Sequence, residues 1–213
     1  MDKNFENNVV ELAGAICSEP TYNHEVYGEK FYTCDMEIER LSGVKDIVPL
    51  TISERLFQSG EQLKGYRFRI LGQLRSFNEH KDGKNRLILS VFVLDIEQLD
   101  DSQSSLNINE IIIDGYLCKE PVYRKTPSDR EIADILLAVN RSYGKSDYIP
   151  CICWGRNARF VGRLDVGTHV RISGRIQSRE YQKKLEDGDV ETRTAYAVSV
   201  SKVELVEEED EKK

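Results

Sequence analysis

Aromatic rings and cations crowd into one stretch of the chain, residues 141–181. Tyr143, Tyr148, Trp154 and Tyr181 stand there among Arg141, Lys145, Arg156, Arg175 and Arg179, with Arg124 a little upstream. Rings stack on flat partners, and guanidinium or ammonium groups neutralise phosphates. An unpaired nucleic-acid strand offers both targets, exposed bases and a charged backbone, and a sequence-tolerant binder needs both kinds of group. The spacing inside YIPCICW (148–154) sharpens the reading. Successive side chains of a strand point to opposite faces. Tyr148, Pro150, Ile152 and Trp154 therefore share one face, and Ile149, Cys151 and Cys153 share the other. The compact Ile/Cys/Cys face suits a core. The Tyr/Trp face is expected outside, where bases would stack.

No competing chemistry stands out. The sequence has no Gly-rich phosphate loop, no nucleophile–histidine pair and no carboxylate cluster at metal spacing, so neither an enzyme nor a cofactor is expected. The cysteines Cys17, Cys34, Cys118, Cys151 and Cys153 include no CxxC pair, and His24, His80 and His169 lie in no metal pattern. Cys17 and Cys118 are read as small core residues. The odd cysteine count and the polar start MDKNFENN point to a reducing cytoplasm. No apolar run approaches the roughly 18 residues that span a bilayer.

The formal net charge of -7 is unusual for a nucleic-acid binder, but the position of the cations matters more than the sum. Residues 1–106 carry 12 basic and 18 acidic groups, a net of -6; residues 107–213 carry 18 and 19, a net of -1. The last seven residues, EEEDEKK (207–213), hold five of those acids and two lysines. Without them the second half has 16 basic and 14 acidic groups. It has a mildly basic body and an acidic tail.

The two halves are copies. VVELAGAICSEPTY (9–22) lies over EIIIDGYLCKEPVY (110–123), and MEIER (36–40) over LAVNR (137–141). Gly43, Asp46, Pro49 and Arg55 fall on Gly144, Asp147, Pro150 and Arg156; one residue later in register, RILGQL (69–74) falls on RISGRI (171–176). A period near 100 residues is a domain and not a solenoid repeat. DDSQSSLN (100–107) reads as a linker between domains at 1–99 and 108–206. Each half offers strands at 9–17, 31–40, 46–53, 66–77 and 86–98, or at 109–118, 132–140, 148–154, 168–181 and 191–205. A short amphipathic helix is expected between the third and fourth strands, over 54–63 and 156–163. HKDGKN (80–85) and KLEDGDVE (184–191) carry hairpin-turn residues. Five strands with a helix between the third and fourth is the order of an OB-fold. The expected fold class is all-β, with two tandem OB-fold five-stranded barrels.

LLAVNR (136–141), DYIPCICWGRNARF (147–160), VGTHVRISGRIQSREY (166–181) and TAYAVSVSKVEL (194–205) resemble the bacterial single-stranded DNA-binding protein family in order and spacing. The first half looks like a diverged copy. The resemblance implies sequence-tolerant binding and protection of single-stranded DNA in replication, recombination or repair. It also implies a nucleoid-associated cytoplasmic protein, a homodimer giving four OB-folds, and replication or repair proteins as partners. The family commonly ends in an acidic segment with an apolar tip that recruits partners; this tail ends in Lys212 and Lys213 instead.

The diverged copy has kept its core and lost its rings. Val48, Leu50 and Ile52 preserve the inner face of the third strand, while Ile47, Pro49, Thr51 and Ser53 replace the outer one. Ser42, Gln73 and Glu79 stand where the second half has Tyr143, Arg175 and Tyr181. The first barrel is therefore expected to bind DNA weakly or not at all. The alternative reading is a primosome-type OB-fold interaction module with weak DNA binding, which the acidic first half favours. Stacking platforms do not intrinsically reject RNA.

Overall fold

The computed structural model describes residues 7–57, 62–81, 84–103, 105–184 and 190–207. The first half forms β1 (Asn8–Ile16), β2 (Thr21–Val26), β3 (Glu29–Glu39), β4 (Lys45–Ser53), β5 (Arg67–Lys81) and β6 (Lys84–Gln98). The second forms β7 (Ile108–Leu117), β8 (Val122–Lys125), β9 (Glu131–Asn140), β10 (Ser146–Trp154), β11 (His169–Lys184) and β12 (Val190–Leu205). The strand orders are β2-β3-β4-β6-β5-β1 and β7-β11-β12-β10-β9-β8. Additional pairings of β1 with β3 and of β7 with β9 close each barrel. The fold class is as expected, with one addition. The predicted loop after each first strand folds back as a sixth strand, β2 or β8, on the edge of β3 or β9.

The helices differ between halves. In the second, α1 (Gly155–Val161) follows β10 directly. In the first, the helix expected over 54–63 is a 3-10 turn at Glu54–Leu56, capped by the Ser53 hydroxyl, and residues 58–61 of that expectation lie outside the described residues. So do 82–83 and 185–189 of the two predicted hairpin turns.

Alternation builds both cores. Val10, Leu12, Met36, Val48, Leu50, Ile52, Ile70 and Val91 are sealed in the first barrel; Ile111, Ile113, Leu137, Ile149, Cys151, Cys153 and Ile172 are sealed in the second. Gly14 and Gly115 allow the closure. A Cβ on Gly14 would stand 2.3 Å from the Glu37 carbonyl oxygen, and one on Gly115 2.9 Å from that of Ala138. Both are close approaches of the first strand to the second, which only a missing side chain permits.

Each half carries the same buried ion pair. Arg40 Nε donates to Asp46 Oδ2 at 2.6 Å, and Arg141 Nε donates to Asp147 Oδ2 at 2.5 Å; the second guanidinium nitrogen completes a bidentate clasp in both. The carboxylates are 1% and 0% exposed. Each pair closes the turn joining the second and third barrel strands, where the arginine N–H also bonds the Val44 or Lys145 carbonyl.

The chain gathers into two compact units whose borders do not follow the repeat. One holds Val10–Glu110 together with Ile176–Ala197, the far part of the β11–β12 hairpin. The other holds residues 7–9, Ile111–Arg175 and 198–207.

Cys17, read from sequence as core, is exposed; β1 ends one residue earlier, and its thiol turns to the Asp35 carbonyl at 3.3 Å. Cys118 is half-buried. Burial pushes the Cys34 and Cys153 thiols up to about 12, and Cys151 well above its ordinary value. These three are protonated packing groups at neutral pH.

Two outcomes follow. With a disulfide-exchange thiol reagent at neutral pH, Cys34, Cys151 and Cys153 should stay silent until denaturant is added, and C17S should remove the fastest phase. Rapid native reaction of C17S at Cys151 or Cys153 would contradict the sealed face. In urea unfolding, R141A should cost about 3–5 kcal/mol, because it strands a buried carboxylate. R156A, at an exposed position, should stay within about 0.5 kcal/mol of the parent.

Candidate nucleic-acid interface

β10 carries the site. Asp147, Ile149, Cys151 and Cys153 point inward and are no more than 1% exposed, whereas Tyr148 is 45% and Trp154 40% exposed. Pro150 and Ile152 lie half-buried between them. At about 3.3 Å per residue, the two rings stand roughly 20 Å apart along the strand, far enough to serve separate bases. Gly155 follows Trp154 with φ +52, a left-handed turn that starts α1 at once.

Neighbouring strands extend this face through their register. Tyr148 lies opposite Ala138, Pro150 opposite Leu136, Ile152 opposite Asp134 and Trp154 opposite Ile132. β8 adds Val122 beside Asp134 and Arg124 beside Ile132. Directly opposed residues share a face. The result is a floor of Leu136, Pro150, Ile152 and Val122 between the two rings, interrupted by the Asp134 carboxylate, which Arg124 holds. Sequence reading missed Val122 and Leu136. Leu136 was recoverable from the alternation of β9; Val122 was hidden because β8 reads as a loop.

The cations are less uniform than their sequence suggests. Lys145 and Arg156 are exposed and form no ion pair among the described residues. Arg124 is about half exposed and shares the Asp134 carboxylate at 2.9 Å. Arg141 is committed to buried Asp147, so its main bond is architectural. Arg175 is half-buried, with its Nε out of solvent. Arg179 and Tyr181 sit on the hairpin segment that belongs to the other compact unit, where Arg193 donates to Glu191 Oε2 at 2.8 Å. Tyr143 lies in a 3-10 turn at Ser142–Gly144, and its side chain is outside the described part; so are the tail residues 208–213.

The equivalent face of the first barrel is chemically different. Ile47 opposes Glu37, Pro49 opposes Asp35 and Ser53 opposes Phe31. Carboxylates thus occupy the places of Ala138 and Leu136. Burial holds the Asp35 carboxyl above its ordinary range. The ring present, Phe31, is 8% exposed, stacked under His24 at 5.0 Å and tilted against Phe92 at 5.7 Å. Lys45 is paired with Glu37 at 2.7 Å. Nothing on this row offers both an open ring and a free cation.

Among the described residues, no group of His, Cys, Asp or Glu is placed to hold a metal ion, and no helix is long and apolar enough to cross a membrane.

Comparison with known proteins agrees with the two-barrel reading. The chain is similar to the single-stranded DNA-binding protein 1 of Staphylococcus aureus (strain COL), 36% identical over 84 residues. That alignment covers 36% of this chain and 50% of the relative. It is similar also to the single-stranded DNA-binding protein A of Bacillus subtilis (strain 168), 33% identical over 84 residues, 36% of this chain and 49% of the relative. The chain spans about half the length of the curated relatives it matches. Wild-type single-stranded DNA binding protein from Thermus aquaticus superposes with a TM-score of 0.75 at 19% identity, covering 94% of this chain and 93% of that one. That likeness shows the fold alone. The Single-strand binding protein family matches residues 108–206, the stretch that holds Tyr148 and Trp154. Those residues make the second half of the chain similar to the single-strand binding protein family.

Proposed function

We propose that this protein binds and protects single-stranded DNA without marked sequence preference, mainly through the barrel of its second half. The work is non-enzymatic: bases stack on Tyr148 and Trp154, and phosphates are neutralised by cations led by Lys145, Arg156 and Arg124. Tyr143, Tyr181, Arg179, Arg175 and Arg141 complete the expected set, the last two in a mainly structural part. The observation that carries the reading is the split of β10. Its small residues are sealed and both of its rings are left in solvent, although burying a ring would be favourable. The names of the relatives point the same way.

The acidic row of Asp35 and Glu37 supports a barrel in the first half that contributes little to phosphate binding. It also favours the second reading, a primosome-type module in which protein contacts dominate. We place the protein in the bacterial cytoplasm as a homodimer with four barrels, serving replication, recombination or repair.

A fluorescence titration with oligo-dT tests this. Trp154 is the sole tryptophan, so its emission reports directly on the face. Strong quenching is expected, with the logarithm of affinity falling linearly as the logarithm of salt rises. W154A, followed with a labelled oligonucleotide, should lose about 1–3 kcal/mol, or roughly 5- to 150-fold in affinity. Its unfolding midpoint should hardly move. Wild-type protein that leaves Trp154 unquenched, or W154A that binds as tightly as wild type, would refute the stacking face. A matched RNA strand run in parallel decides between the two nucleic acids.

A further inference from the structure

The β11–β12 hairpin comes from the second half of the chain, yet residues 176–197 pack within the unit built on Val10–Glu110. Two clasps hold it there. At its base, the Asn109 side chain bonds both ways to the backbone of Ile176: Nδ2 donates to the carbonyl at 2.7 Å, and Oδ1 accepts from the N–H at 2.8 Å. Two residues on, the Ser178 N–H donates to Asp46 Oδ1 at 3.1 Å, and the Ser178 hydroxyl oxygen accepts from the Ile47 N–H at 2.9 Å. Asp46 is the buried carboxylate clasped by Arg40.

Strand alternation converts this docking into an orientation. Ile176 and Ser178 face the same way, and Ile176 is 1% exposed. With that face turned to Asn109 and Asp46, Arg179 and Tyr181 must point to the opposite side. Both are exposed there. The first barrel lacks an open ring and a free cation on its own outer row, but it holds a segment that carries both.

We propose that Asn109 and the Arg40–Asp46 pair, through Ser178, are positioning residues for nucleic-acid binding: they set the hairpin so that Arg179 and Tyr181 are presented to the strand. None of the four touches the nucleic acid. The first half then acts in binding as the mount for a basic, aromatic arm and not as a second stacking face. This rests on the single-stranded DNA reading above.

The test uses the full chain with N109A and S178A combined, which removes the hydroxyl acceptor and both amide bonds while leaving Asp46 paired. Amide hydrogen exchange of 176–184 and 190–197 should speed up about tenfold or more, in line with the loss of several hydrogen bonds. Exchange in β9 and β10 should not change. Oligo-dT affinity should fall several-fold while the full quenching amplitude of Trp154 at saturation is kept. In the N109A background, S178T, which retains the oxygen, should return both readouts to the level of N109A alone. Unchanged hairpin exchange in the double variant overturns the clasp. Faster hairpin exchange with unchanged affinity overturns the positioning role. Failure of the wild-type chain to bind at all is a different result, and it would sink the functional reading and leave the clasp standing.

Discussion

The register of β10 is the constraint on which the rest depends. A one-residue slip of a strand swaps its two faces. Here it would bring Trp154 and Tyr148 into the barrel, which on area alone would be favourable, since each ring buries on the order of 150–250 Å². Two features oppose it. The inner face fits Ile149, Cys151 and Cys153 at full burial, and forcing larger groups into a packed core costs about 1–3 kcal/mol. At the start of the strand, Asp147 has the same inward parity and is held by Arg141. A slip would tear a buried carboxylate from its partner, typically a loss of about 3–5 kcal/mol. The ion pair therefore acts as a register pin, and the exposure of the rings is its consequence.

The first barrel keeps the pin and the core but not the consequence. Arg40 and Asp46 repeat the clasp, and Val48, Leu50 and Ile52 repeat the sealed face. Register is thus preserved where the outer face has changed. With Asp35 and Glu37 across from Pro49 and Ile47, a phosphate backbone would meet like charge, and Phe31 is withdrawn beneath His24 and Phe92. The core and the outer row can differ independently because they lie on opposite faces of one strand.

Much of this was legible in the sequence because it depends on period two and on repetition. The halves, the barrel strands and the two faces of β10 all follow from spacing, and the second copy allowed each assignment to be checked against the first. What was not legible has local causes. β2 and β8 are exposed throughout, so they show no apolar alternation and read as loop. Cys17 shares the motif of Cys118 but lies past the last inward position of β1. Arg141 looks like any other cation near the rings. Its partner Asp147 is six residues away, and sequence alone does not say that a turn brings a buried carboxylate to it.

The borders of the compact units are the deeper case. A repeat of about 100 residues invites a cut at the linker, and local sequence contains nothing against it. Yet Asn109, just past that linker, bonds Ile176, and Asp46 of the first copy bonds Ser178 of the second. The second copy's hairpin is long enough to leave its own compact unit because β11 and β12 each run for 16 residues. The first copy meets Ser178 with a carboxylate that its own arginine holds in place.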